Sequence, residues 1–200
     1  MAKVNFDEPS LCSRIAHLDA RNRVAFAAAC ASRLLLVFEE YAESYASQDI
    51  GVLRQSVEFL WRSVISGEWQ QDDIKNNLEA VMGMMPEEGD DWTPLHGSAQ
   101  DAVASTAYAL RALASGDPQE VGWAARRAYE AVDQLVMNQL DVNLSDPSAE
   151  NKILAHPLVQ QELVRQLQDV ADLEERTPAE AMYLRLQERS LSQSTFVVEQ

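Results

Sequence analysis

The stretch from Arg23 to Tyr45 constrains the fold more than any other part of the chain. It opens Val24-Ala25-Phe26-Ala27-Ala28-Ala29-Cys30-Ala31, almost all small, and continues Leu34-Leu35-Leu36-Val37-Phe38, almost all bulky, before Glu39, Glu40 and Glu43. It holds neither glycine nor proline, and alanine and leucine are the strongest apolar helix formers. The pattern predicts one long helix, apolar on most faces, which must be surrounded by other helices or by lipid. Ser32-Arg33 interrupts the run, and no apolar stretch approaches the roughly 18 residues of a membrane span. The expectation is a central buried helix.

Two hundred residues suit a single domain over 1–200, with about 1–9 and 191–200 as extended or flexible termini. The punctuation between elements is legible. Asp117-Pro118-Gln119-Glu120 and Thr177-Pro178-Ala179-Glu180 both place an oxygen-bearing cap, then proline, then glutamate. The cap accepts from free N–H groups, proline has none to leave unpaired, and glutamate complements the helix dipole. Asp146-Pro147-Ser148-Ala149-Glu150 is a looser relative, and Gly116 sits where a preceding helix should stop.

Between these signals apolar residues recur at helical spacing. Leu53, Val57, Leu60, Trp61 and Val64 form one stripe, ended near Ser66-Gly67. Asp72 or Asp73 opens the next, with Ile74, Leu78, Val81, Met82 and Met85 inward as far as Pro86. Ser98 reads as the N-cap of a helix carrying Ala99, Ala102, Val103, Thr106, Ala107, Leu110 and Leu113, with Asp101 in its first turns. Val121 to Val136 follows, then Val159, Leu163, Leu167, Val170 and Glu174 after His156-Pro157. A short helix from Pro178 and a weaker amphipathic turn over Ser10–Leu18 complete the set. Only the tail Ser194-Thr195-Phe196-Val197-Val198 has strand character, without a partner strand; it reads either as an extended terminus, packed on the bundle or disordered, or as a site for pairing with another chain. The fold expected is an all-α bundle of seven to eight helices around the central apolar one.

The net charge is −16, from 32 acids against 16 bases. Residues 81–200 hold 20 acids against 8 bases, whereas residues 1–80 hold 12 against 8. Such a field repels phosphate backbones and anionic membrane surfaces, so neither nucleic acid nor membrane is an expected partner. The chain starts without an apolar signal core and its two cysteines, Cys12 and Cys30, have no metal spacing, which points to the cytoplasm. Cys30 is read as a small structural residue.

Chemistry is sparse. Position −3 from His17, His96 and His156 is Arg14, Thr93 and Ile153, so the Glu-x-x-His of a di-iron bundle is missing at each. No nucleophile elbow and no phosphate-binding glycine loop is present. His96-Gly97-Ser98 with Asp101 contains the residue types of a triad, yet capping explains Ser98 better. Glu39 and Glu43 read as a solvated pair at a helix end. No cofactor or metal is therefore expected. The longest expected loop, Glu87 to Gly97, gathers Glu87, Glu88, Asp90, Asp91 and Trp92. Loops carry function more often than core elements, and an aromatic among acids suits a basic partner.

Several segments together resemble the YjaG-like family of bacterial proteins, catalogued as domain of unknown function 416. They are Arg23-Val24-Ala25-Phe26 with Cys30 and Arg33, the Leu53–Val64 segment with Trp61, and the stretch from Leu78 through Pro86 to Asp101. His156-Pro157-Leu158-Val159-Gln160-Gln161-Glu162 and Phe196-Val197-Val198 add to it. The resemblance implies an all-helical cytoplasmic protein without an established activity, and it supplies no catalytic residues. The function expected is non-catalytic: an interaction protein, immunity- or antitoxin-like, with a basic protein or a second copy of the chain as partner. The alternative is an enzyme or small-molecule binder with a site between helices built from Asp101, Glu162 and His156.

Overall fold

The computed structural model describes residues 3–45, 50–87, 89, 92–140, 147–175 and 179–192. Among these the chain is all-α, in the order α1 (Glu8–Ala16), α2 (Ala20–Arg33), α3 (Leu35–Tyr45), α4 (Ile50–Ser66), α5 (Gln71–Met82), α6 (Pro94–Ser115), α7 (Pro118–Gln139), α8 (Ala149–Leu154), α9 (Pro157–Glu174) and α10 (Ala179–Ser192). The cap at Thr177-Pro178, the cap oxygen of Asp146 and the tail Phe196-Val197-Val198 lie outside the described residues.

The Arg23–Tyr45 segment is buried as expected but is not one helix. Every residue from Val24 to Leu35 is buried, and α2 contacts α3, α4, α6, α7, α9 and α10. At Leu34 the ladder tightens, its N–H bonding Ala31 O at 3.1 Å, and α3 begins at Leu35. Ser32 Oγ donates back to Ala28 O at 2.7 Å and accepts from Trp61 Nε1 at 2.8 Å. The next side chain, Arg33, turns away to charged partners on α9.

The first turn of α2 ties down the ends of its neighbours. Arg21 donates from Nε and Nη2 to Val64 O and Ile65 O, the last carbonyls of α4. Arg23 donates to Ile15 O at 3.2 Å, Ala16 O at 2.8 Å and Gly116 O at 2.7 Å, closing α1 and α6. Asn22 Nδ2 donates to Leu173 O near the end of α9 at 3.1 Å. Two cations beside a helix N-terminus are unfavourable in isolation, but here each guanidinium reaches the negative ends of other helices.

Several boundaries differ from expectation. α6 starts at Pro94, not after Ser98, because Thr93 and His96 build a capping box: Thr93 N–H donates to His96 Nδ1 at 3.1 Å. Ser98 and Asp101 are therefore buried mid-helix residues. α5 opens after Gln70 and ends at Met82, so Met82 is half exposed and Met84 is buried in its place. Asp117 and Gly116 behave as expected: Asp117 accepts from Gln119 N–H at 2.9 Å, and Gly116 has φ 71°. Glu120 reaches Arg111 at 2.6 Å.

α1 lies close against α7 at Gly122, where a Cβ would run into Cys12 Sγ. Gly122→Ala should lower unfolding stability in urea by about 1–3 kcal/mol through overpacking. Adding Cys12→Ala should return most of it, since alanine is otherwise the better helix residue.

Candidate functional site

The strongest concentration of charge is inside the bundle. Arg33, at the end of α2, is 2 % exposed. Its Nε lies 3.0 Å from Glu162 Oε2 and its Nη1 2.7 Å from Asp169 Oδ2, both on α9. Its Nη2 donates to Cys30 Sγ at 3.3 Å. Gln166 Nε2 bridges Glu162 Oε1 at 2.8 Å and Ala125 O at 3.0 Å, which carries the network to α7. Asp169 also accepts from Arg189 of α10, whose other nitrogen meets Asp172 at 2.8 Å. Two buried carboxylates thus face two guanidiniums. Burial pushes the Cys30 thiol far up, so it stays protonated and inert.

Residue spacing reads the inward face of α9 only in part: Val159, Leu163 and Val170 are buried as expected. The stripe Val159, Leu163, Leu167, Val170, Glu174 places Leu167 inside, yet Leu167 is 40 % exposed and Glu174 pairs with Arg14 at the surface. The inward face is Val159, Glu162, Leu163, Gln166, Asp169, Val170 and Leu173. Its polar members point inward because an arginine is already there. Arg33 itself, in an alanine-rich buried run, was the available signal.

A second buried carboxylate lies between α6 and α7. Asp101 is 3 % exposed, and Oδ1 meets Arg127 Nη1 at 3.1 Å. Oδ2 is buried without a hydrogen-bond partner. Arg127 is shared with Glu130 at 2.8 Å. Burial outweighs this divided attraction and pushes Asp101 up to about 7.

Asp101, Glu162 and His156 do not form one site. Asp101 is held by Arg127 and Glu162 by Arg33, while His156 is the N-cap of α9 and accepts from Leu158 N–H at 3.3 Å. His96 likewise serves Thr93, and Asp101 turns to α7, so the triad residue types are not assembled. Glu39 pairs with Arg54 of α4, and Glu43 is exposed. No group of three or more metal-ligating side chains occurs among the described residues. No helix among them is long and apolar enough to cross a membrane.

In the acidic loop, Glu88, Asp90 and Asp91 lie outside the described residues. Glu87 is exposed, and Trp92 is 40 % exposed. The Trp92 ring rests on His96 at 5.1 Å and 30°. His96 packs in turn against Tyr45 at 4.4 Å and Tyr41 at 5.1 Å. Tyr45 hydroxyl bonds Thr93 Oγ1 at 3.1 Å, and the same oxygen lies 2.9 Å from His96 Nδ1. The indole is therefore braced on His96 and still partly exposed.

Asp101 makes a pH test available. Between its unfolded value near 3.9 and about 7, the folded state keeps a proton that the unfolded chain releases. Its contribution is complete below that window and is lost as pH rises through it, at up to about 1.4 kcal/mol per unit. Asp101→Asn should flatten this part of the stability profile, so that the variant gains on the wild type from pH 5 to pH 8 in urea melts.

The fold matches known proteins. The crystal structure of a DUF416 family protein from Shewanella baltica OS155 superimposes with a TM-score of 0.80 at 20 % identity, over 90 % of this chain and 93 % of that one. No curated protein matches the chain. The family described as "Protein of unknown function (DUF416)" matches residues 10–195, nearly the full length and in accord with the resemblance read from the segments above. The chain belongs to DUF416, a family of unknown function.

Proposed function

We propose that this protein works by binding another protein in the cytoplasm, through an acidic face centred on the Glu87–Trp92 loop. One observation carries the reading: Trp92 offers a partly exposed indole on a rigid aromatic support. Pre-ordered tryptophan is enriched among the residues that dominate binding energy, because little side-chain entropy is lost on contact. Glu87, in the same loop, is exposed. With a net charge of −16 the partner of matching chemistry is a basic surface. An immunity- or antitoxin-like role that masks a basic toxin surface is the narrow form of this reading, and self-association through the same face is the second.

The buried carboxylates support a non-catalytic role in a specific way. Glu162 and Asp169 are saturated by Arg33, Gln166 and Arg189 in the core. Their charge holds helices together.

Trp92→Ala with Glu87→Gln should reduce capture of native partners from lysate by about tenfold or more, corresponding to the roughly 1.4 kcal/mol or above expected of an anchor residue. Capture should also fall between low and high salt. Undiminished capture by the double variant, or a salt-insensitive partner, would count against the acidic face.

A further inference from the structure

A cleft of about 510 Å³ lies between the end of α4 and the start of α5, and none of its lining residues belongs to the acidic loop. Its volume is in the range of small-molecule sites. Phe59 and Trp69 form its apolar wall, each half-buried and packed against the main core. The connection that shapes it is held from below. Arg21 caps the last carbonyls of α4, and Gly67 turns there with φ 74°. The apolar wall is therefore preformed.

Three charges line this cleft without an ion pair among the described residues: Arg62, Glu68 and Asp73. Most other arginines of the chain are committed to carboxylates or carbonyls, as Arg14, Arg33, Arg54, Arg111, Arg126 and Arg127 show. An arginine left open beside two aromatics, with acids on the same rim, matches a ligand carrying both signs. A purely anionic ligand would meet two rim acids and the field of a −16 chain. Gln70, also at the cleft, gives α5 no side-chain cap, so the first N–H groups of that helix have no side-chain acceptor.

We propose that this cleft binds a small zwitterion of the amino acid or dipeptide class with an apolar side chain. Arg62 takes the carboxylate in a bidentate pair, Glu68 and Asp73 take the ammonium, and Phe59 and Trp69 hold the side chain. The proposal stands independently of the Trp92 face.

The test is NMR titration of the Trp69 indole N–H, assigned with Trp69→Phe. The probes are the dipeptide alanyl-phenylalanine, its N-acetylated form and its C-terminal amide. The free dipeptide should shift the Trp69 signal, with each blocked form at least tenfold weaker. Arg62→Gln, at an exposed position that should leave the fold intact, should bind the free dipeptide and its amide equally. A Trp69 signal unmoved at millimolar dipeptide would overturn the proposal. So would equal affinity for all three probes, or an amide penalty that persists in Arg62→Gln.

Discussion

A guanidinium enclosed in the core sets the terms for the rest of this bundle. Arg33 sits at the end of the most buried helix, where an uncompensated charge would cost several kcal/mol. It therefore requires Glu162 and Asp169 on the facing side of α9. Asp169 then engages Arg189, which brings α10 into the same arrangement. At the opposite end of α2, Arg21, Asn22 and Arg23 bond the terminal carbonyls of α4, α9, α1 and α6. Between the two polar ends the helix presents Ala25, Ala27, Ala28, Ala29 and Ala31, which let neighbours approach closely. The apolar middle supplies most of the burial, and the polar ends specify which helix sits where. The pairing buys orientation more than raw stability.

Much of this was legible in the residues. Asp117-Pro118 and Gly116 act locally, through their own backbone, so their meaning survives without tertiary context. The burial of residues 24–35 followed from composition alone. What was not legible depends on partners far away in sequence. Ser32, at the end of α2, is engaged by Trp61, and the inward turn of Glu162 and Asp169 depends on Arg33 more than 120 positions earlier. A hydrophobic stripe assigns glutamate and aspartate outward by default, and only a buried counter-charge reverses that. The start of α6 is obscured for a smaller reason: histidine stands where a capping box usually has glutamate, so Thr93-Pro94 lacks the ordinary signal.

The division of labour among charged groups bears on function. Arg33, Glu162, Asp169 and Asp101 are enclosed between helices and define the packing. Two surfaces with uncommitted chemistry among the described residues are the braced indole of Trp92 and the Arg62 cleft, which share no lining residue. Both rest on rigid supports, His96 with two tyrosines in one case and the Arg21-capped end of α4 in the other. Neither coincides with a pairing of Asp101, Glu162 and His156.

The central claim is that the buried network is a mutual structural requirement. Urea denaturation of Arg33→Met, alone and combined with Glu162→Gln and Asp169→Asn, tests it most directly. The single change should cost about 3–5 kcal/mol, because it leaves buried Glu162 without a counter-charge and Asp169 with Arg189 alone. Neutralising both should recover at least half of that loss, although Arg189 then loses one partner. A single variant as stable as the wild type, or a triple variant with no recovery, would contradict the claim.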